Sequence, residues 1–152
     1  MKLGVIQLPS LGLFVPGIPV QQGSKVAGKR RDGTLFVRES AKGHKSWRRS
    51  VKEAAEAALM ASDEWEAGYD GPVELSVRFY FPTIASGRHW KTSSPDLSKL
   101  VRAIEDSLTD AGVYKDDSRI VRYRDVEKVH GPITGASIRV RTVETVKEEE
   151  NK

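Results

Sequence analysis

The chain has 152 residues, 38% of them hydrophobic and 30% charged, with no cysteine and a formal net charge of +4. That suffices for one soluble globular domain with its own core. It excludes disulfides, zinc–thiolate sites and thiol nucleophiles, and no apolar run approaches the roughly 20 residues that cross a bilayer.

The N-terminal residues 1–19 are apolar but broken by Pro9, Pro16 and Pro19, without the pattern of a secretory leader. A cytoplasmic location is therefore expected. Residues 11–20 predict an edge strand or extended segment, because proline cannot donate to a ladder. Residues 21–33 are rich in Gly, Lys and Arg and predict a mobile basic loop carrying Lys25, Lys29, Arg30 and Arg31. Residues 34–38 predict a short strand.

In residues 45–61, Trp47, Val51, Ala54, Ala55 and Ala58 recur at helical spacing, so a helix with one apolar stripe is expected. Its first turns carry Lys45, Arg48, Arg49 and Lys52. Residues 72–81 alternate strictly: Val73, Leu75, Val77, Phe79 and Phe81 take one face, and Glu74, Ser76, Arg78 and Tyr80 the other. This is the clearest strand pattern in the chain. A polar loop with Arg88, His89, Trp90 and Lys91 follows. Residues 96–111 predict a second helix, with Asp96 as N-cap, a stripe of Leu97, Leu100, Val101, Ile104 and Leu108, and Gly112 as the stop. Residues 119–130 and 136–143 predict two strands joined around residues 131–135 as an antiparallel hairpin, with Arg139 and Arg141 on a basic outer face. The order of elements implies an α+β single domain over residues 1–143: one mixed sheet with two main helices packed on it.

Charge follows the same division. Residues 144–152 hold four acids and two bases and read as a charged flexible tail, leaving 23 bases against 17 acids on residues 1–143. A basic body of this kind attracts phosphate backbones.

Three acids stand at informative places. Asp96 opens the second helix, and Asp116 and Asp117 lie in the turn beyond it. A helix of about 14 residues is about 21 Å long, so its two ends cannot share one ion unless the turn doubles back or a second subunit supplies one set. Magnesium prefers carboxylate oxygen and water, and it can activate water in phosphodiester cleavage. Arg102, one turn beyond Ser98, is placed to clamp a phosphate. Each residue also has an ordinary reading: a cap, a turn, a solvated cation. No nucleophile-elbow serine accompanies His44, His89 or His130, and no phosphate-binding glycine motif is present. Asp125-Val126-Glu127-Lys128 has the wrong spacing for a restriction-type nuclease.

The run Pro95-Asp96-Leu97-Ser98-Lys99-Leu100-Val101-Arg102, followed by Asp116-Asp117 before a strand, resembles the signature of the RusA-type Holliday junction resolvases. Phe14-Val15-Pro16-Gly17-Ile18-Pro19 is similar to that family's opening strand and turn. The resemblance runs from about residue 13 to residue 143. It implies a homodimeric endodeoxyribonuclease that nicks four-way DNA junctions symmetrically in recombination and repair, in a phage or prophage setting. It further implies a Mg2+ cofactor, with Mn2+ as a substitute. Asp96, Asp116 and Asp117 take the metal-binding places, and Asp96, Arg102 and Asp117 the catalytic ones.

Two positions depart from the pattern. Ser98 stands where the family has a second aspartate, and can hold only a metal-bound water; Lys99 stands where it has asparagine. Glu74, Glu105 and Asp106 are the acids that could compensate, but Asp106 lies ten residues along the helix from Asp96, too far on a straight helix. Phosphate contacts are expected from Lys25, Lys29, Arg30, Arg31, Lys45, Arg48, Arg49 and Lys99, and Trp90 with His89 are candidates for stacking on an unpaired base. A non-catalytic binder of branched DNA on the same scaffold is the alternative, and an RNA binder a more distant one.

Overall fold

The computed structural model describes residues 8–22, 25–39 and 43–144. The elements run β1 (Ser10–Pro16), β2 (Lys25–Lys29), β3 (Leu35–Glu39), α1 (His44–Ala61), β4 (Val73–Pro82), α2 (Leu97–Ala111), a 3-10 turn (Asp117–Arg119), β5 (Ile120–Tyr123), β6 (Glu127–Gly131) and β7 (Gly135–Thr142). This is the expected α+β domain with a mixed sheet and two helices. Among the described residues no helix is long and apolar enough to cross a membrane.

The alternation of β4 places Val73, Leu75, Val77, Phe79 and Phe81 in the core. They meet Ala136, Ile138 and Val140 of β7, Leu11 and Val15 of β1, Trp47, Val51 and Ala55 of α1, and Leu100, Ile104 and Leu108 of α2. Burying each of the larger of these side chains contributes roughly 1.5–3 kcal/mol. Both helices therefore lie on one face of the sheet. At the end of α2, Gly112 adopts φ 82° and its N–H returns to the carbonyls of Leu108 and Thr109. That left-handed conformation suits glycine and closes the helix where the sequence predicts.

The strands run in the order β1-β7-β4, with β5 and β6 both on the far edge of β4. β1 is the expected edge strand, paired antiparallel to β7 over its whole length. β5 pairs in parallel with the start of β4 and β6 with its end. Between them Asp125 takes φ 51° and Arg124 N–H donates to the Leu75 carbonyl at 3.0 Å. The strand expected over residues 119–130 is thus one edge run interrupted by a kink.

Two expectations need correction. The last two strands do not form a hairpin. β6 and β7 pair with opposite edges of β4, in parallel and antiparallel sense, and residues 132–134 cross the end of β4, where Pro82 pairs with Gly131. Neighbouring strands are about 4.8 Å apart, so the crossing spans under 10 Å, within reach of four Cα steps. Alternation reports which face a side chain takes, not which strand lies beside it. The basic segment 21–33 is also not all loop. Lys25–Lys29 is a strand paired with β3 in a separate two-stranded sheet, and residues 30–34 make its turn, with Arg30 N–H donating to the Thr34 carbonyl at 2.8 Å.

Among the described residues the other face of the sheet carries no helix. Ser76, Arg78, Tyr80, Ser137, Arg139 and Arg141 point to it, confirming Arg139 and Arg141 on an arginine-rich outer surface. Glu74 lies there too, only 2% exposed, with Arg122 at 2.6 Å and Arg124 and Arg141 within 4.0 Å.

Candidate active site

The approach to α2 is held from two sides. Lys128 of β6 donates from Nζ to the carbonyls of Ser93 at 2.9 Å and Pro95 at 2.7 Å. The Asp96 N–H donates to Gln21 Oε1 at 3.2 Å, and Gln22 N–H donates to the Lys99 carbonyl at 3.2 Å. The root of the β2–β3 hairpin is therefore hydrogen-bonded to the first turn of α2. Asp96 occupies the expected N-cap position, and its carbonyl accepts from Leu100 N–H at 3.1 Å. Its carboxylate makes no capping hydrogen bond and is exposed. The side chain expected to cap the helix is thus left facing solvent.

Ser98, Arg102 and Glu105 follow at i, i+4 and i+7 and form one polar stripe along α2. With Leu97 and Val101, and with Tyr123 and Val126 across the gap, they line a groove of about 640 Å³. The Tyr123 hydroxyl donates to Glu105. Burial pushes the Glu105 carboxyl above its ordinary value of 4.5; the charges of Asp117 and Asp106 act the same way, and the Tyr123 hydrogen bond and Arg102 oppose them. The Tyr123 hydroxyl is pushed up to about 12, by burial first and then by Glu105.

Asp117 is half-buried at the start of the 3-10 turn. Its charge is felt by Glu105, Tyr114 and Tyr123, which places it at the Glu105 end of the groove. Asp116 is exposed, and its carboxylate accepts the Ser118 N–H at 3.0 Å, a bond that lowers its pKa. Asp96 lies nine residues before Glu105, about 13 Å along the helix. Arg102 stands between the two ends. Among the described residues no three His, Asp or Glu side chains converge as a ready metal cage.

Of the acids considered as substitutes at position 98, Glu74 is on the opposite face of the sheet and already ion-paired. Glu105 and Asp106 are on the groove helix, and Glu105 lines the groove itself. The i, i+4, i+7 spacing from Ser98 was the available signal for Glu105. Tyr123, Lys128 and Gln21 had none, because each acts across the fold.

The basic candidates are distributed over two surfaces. Lys45 and Arg49 are exposed on α1 and, with His44 and Lys52, line a shallow cavity of about 350 Å³. Arg48 is paired with Asp110 of α2 at 2.7 Å. Lys29, Arg30 and Arg31 are exposed where β2 turns toward β3, Lys25 begins β2, and Lys99 is half-buried in the first turn of α2.

An α+β domain with an open groove along one helix, offering oxygen donors, an arginine and flanking cations, has the makings of a phosphodiester-processing site. A family model described as endodeoxyribonuclease RusA matches residues 16–141, and the chain belongs to that family. A crossover junction endodeoxyribonuclease rusA of Lactococcus phage r1t is 39% identical over 61 residues, which cover 39% of this chain and 46% of that protein. The match thus spans about half the length of the curated relative.

Proposed function

We propose that the protein is a divalent-metal-dependent endodeoxyribonuclease that resolves four-way DNA junctions by paired, symmetric nicks as a homodimer in the host cytoplasm. The observation that carries this reading is the groove along α2, where Ser98, Arg102 and Glu105 lie between Asp96 at one end and Asp117 at the other.

The donor set is all oxygen, which suits Mg2+ or Mn2+ rather than a thiophilic ion. Asp96 and Asp117 would hold the ion, with Asp116 beside them and Ser98 contributing through a water. Mg2+ is commonly held by one or two carboxylates plus substrate phosphate, so a sparse acid set fits. The ion, when bound, lowers the pKa of a water and steadies the leaving oxygen. Arg102 orients the scissile phosphate and offsets the charge that develops on it. Glu105, held by Tyr123, keeps a carboxylate on the groove wall, on the same helix face as Ser98 and about two turns further along. A second subunit is expected to bring the two ends of the acid set within reach of one phosphate. The hairpin cations Lys25, Lys29, Arg30 and Arg31, together with Lys45, Arg48, Arg49 and Lys99, contact phosphates of the DNA arms, reading shape rather than sequence.

The deciding experiment is a nicking assay on a synthetic four-way junction beside linear duplex, in Mg2+, Mn2+ or EDTA. Metal-dependent paired nicks in the junction alone are expected, lost in Asp117→Asn. Ser98 favours one competing reading, a branched-DNA binder without catalysis. Tight junction binding with no nick in either metal would establish that instead.

A further inference from the structure

We propose that Trp90 is a stacking platform for an unpaired base at the branch point of bound DNA, an inference that rests on the branched-DNA reading above. Trp90 is 53% exposed, whereas Trp47 and Trp65 are 4% and 6% exposed. A single exposed apolar side chain is ordinary in itself; Trp90 is set apart by the rigid backbone that presents it and by the cations around it. Trp90 bridges Val129 in antiparallel sense on the outer edge of β6. On either side, His130 N–H donates to the His89 carbonyl at 2.8 Å and Lys91 N–H donates to the Lys128 carbonyl at 3.2 Å. The backbone beneath the indole is thereby part of a sheet ladder, so the exposed ring is presented by a rigid edge.

The surroundings select the partner. His89 meets the indole edge-on, with ring centroids 4.7 Å apart, which supports one side of the ring and leaves a broad surface open. Arg88, tied to Thr92 at 3.1 Å, and Lys91, over the Phe81 ring at 4.7 Å, flank it with positive charge. An aromatic ring among cations is the arrangement that binds a nucleic acid strand, the ring taking a base and the cations its phosphates. Paired bases within duplex DNA are stacked on their neighbours and do not present a face. Bases at a branch point can, at the cost of partial unstacking. Location agrees: Lys128, beneath this ladder, holds the Ser93 and Pro95 carbonyls that lead into Asp96. A base on Trp90 would thus sit beside the strand entering the groove.

Because the other two tryptophans are buried, Trp90 dominates what a quencher can reach. The test uses full-length protein in EDTA, so that no cleavage occurs. It titrates a four-way junction carrying 2-aminopurine at the branch point, and a duplex of the same sequence. Acrylamide access to tryptophan and 2-aminopurine emission are read together with affinity. On saturation with junction, Trp90 is expected to become shielded and 2-aminopurine emission to change, with neither occurring on duplex. Trp90→Ala is expected to weaken junction binding roughly 10-fold, the loss typical of one base–aromatic stack, with duplex affinity unchanged, and Trp90→Phe to retain most of it. Trp90 still open to acrylamide in the saturated complex, or Trp90→Ala binding junction like the parent, overturns the stacking role alone. Shielding of Trp90 already in the free protein also overturns it, since the ring would then be covered by another copy. Failure of the parent protein to bind either DNA overturns this inference and the branched-DNA reading together.

Discussion

The Tyr123 hydroxyl donates to Glu105 across the groove, tying β5 to the middle of α2. Both partners are displaced from their ordinary acidity by burial, and the acid has Asp117 and Asp106 as like-charged neighbours.

The burial of Glu105 leads to a pH-dependent stability. Because the folded-state pKa of Glu105 is raised, its protonated form is favoured by folding. This contribution is fully present below the ordinary value of 4.5 and is lost as pH rises through the folded value. Glu105→Gln keeps an acceptor for Tyr123 but cannot ionise. Thermal melts should therefore show little difference from the parent near pH 4, and a Tm advantage for Glu105→Gln that grows toward pH 7. A difference constant with pH would contradict the burial of this carboxyl.

Arg102 is expected to act on the reacting phosphate. Arg102→Ala should lower the junction cleavage rate by about 100- to 1,000-fold, the cost of one lost charge-stabilising donor. Arg102→Lys should recover part of it, since the charge returns without the planar fork. Single-turnover rates at saturating protein separate this loss from weaker binding.

Ser98→Asp restores the carboxylate of the family pattern. It should lower the Mg2+ concentration for half-maximal cleavage. An acid in the first turn also complements the helix dipole, about 0.3–1 kcal/mol of stability, visible as a modest rise in Tm. Unchanged metal dependence would place the ion away from the first turn of α2.

The phosphate contacts are separable by salt. Arg49→Ala should reduce the slope of log affinity against log salt by about 0.9, the release of one counterion. Arg48→Ala should change it less, because Arg48 is already held by Asp110 at 2.7 Å. Equal effects would show that DNA displaces Asp110.

For the core, Leu100→Ala removes a side chain with no exposure at the helix–sheet interface and should destabilise the fold by about 2–5 kcal/mol, measured by urea unfolding.

Much of this architecture was legible beforehand. The stripe of Leu100, Ile104 and Leu108 and the alternation of β4 each report one local periodicity, and both elements form where expected. The neighbours of β4 were not legible, because pairing partners are chosen by distant segments competing for the same edge. Nor was the strand character of residues 25–29, where glycines and cations mask a pairing supplied by β3. At the site, Asp96, Arg102 and Asp117 were readable as motif positions. The lysine that holds the approach to Asp96, and the tyrosine that holds Glu105, come from β6 and β5 and emerge only when the sheet is assembled.

Among the described residues β7, the last strand in the chain, sits between β1, the first, and β4. Its ladder joins residues more than 120 positions apart, such as Ser10 and Arg141. Such distant pairing is slow to form, since the chain must close a long loop before any contact repays it. The sheet therefore closes only once residues 135–142 are in place between β1 and β4. A product truncated before residue 135 lacks the strand that joins β1 to β4.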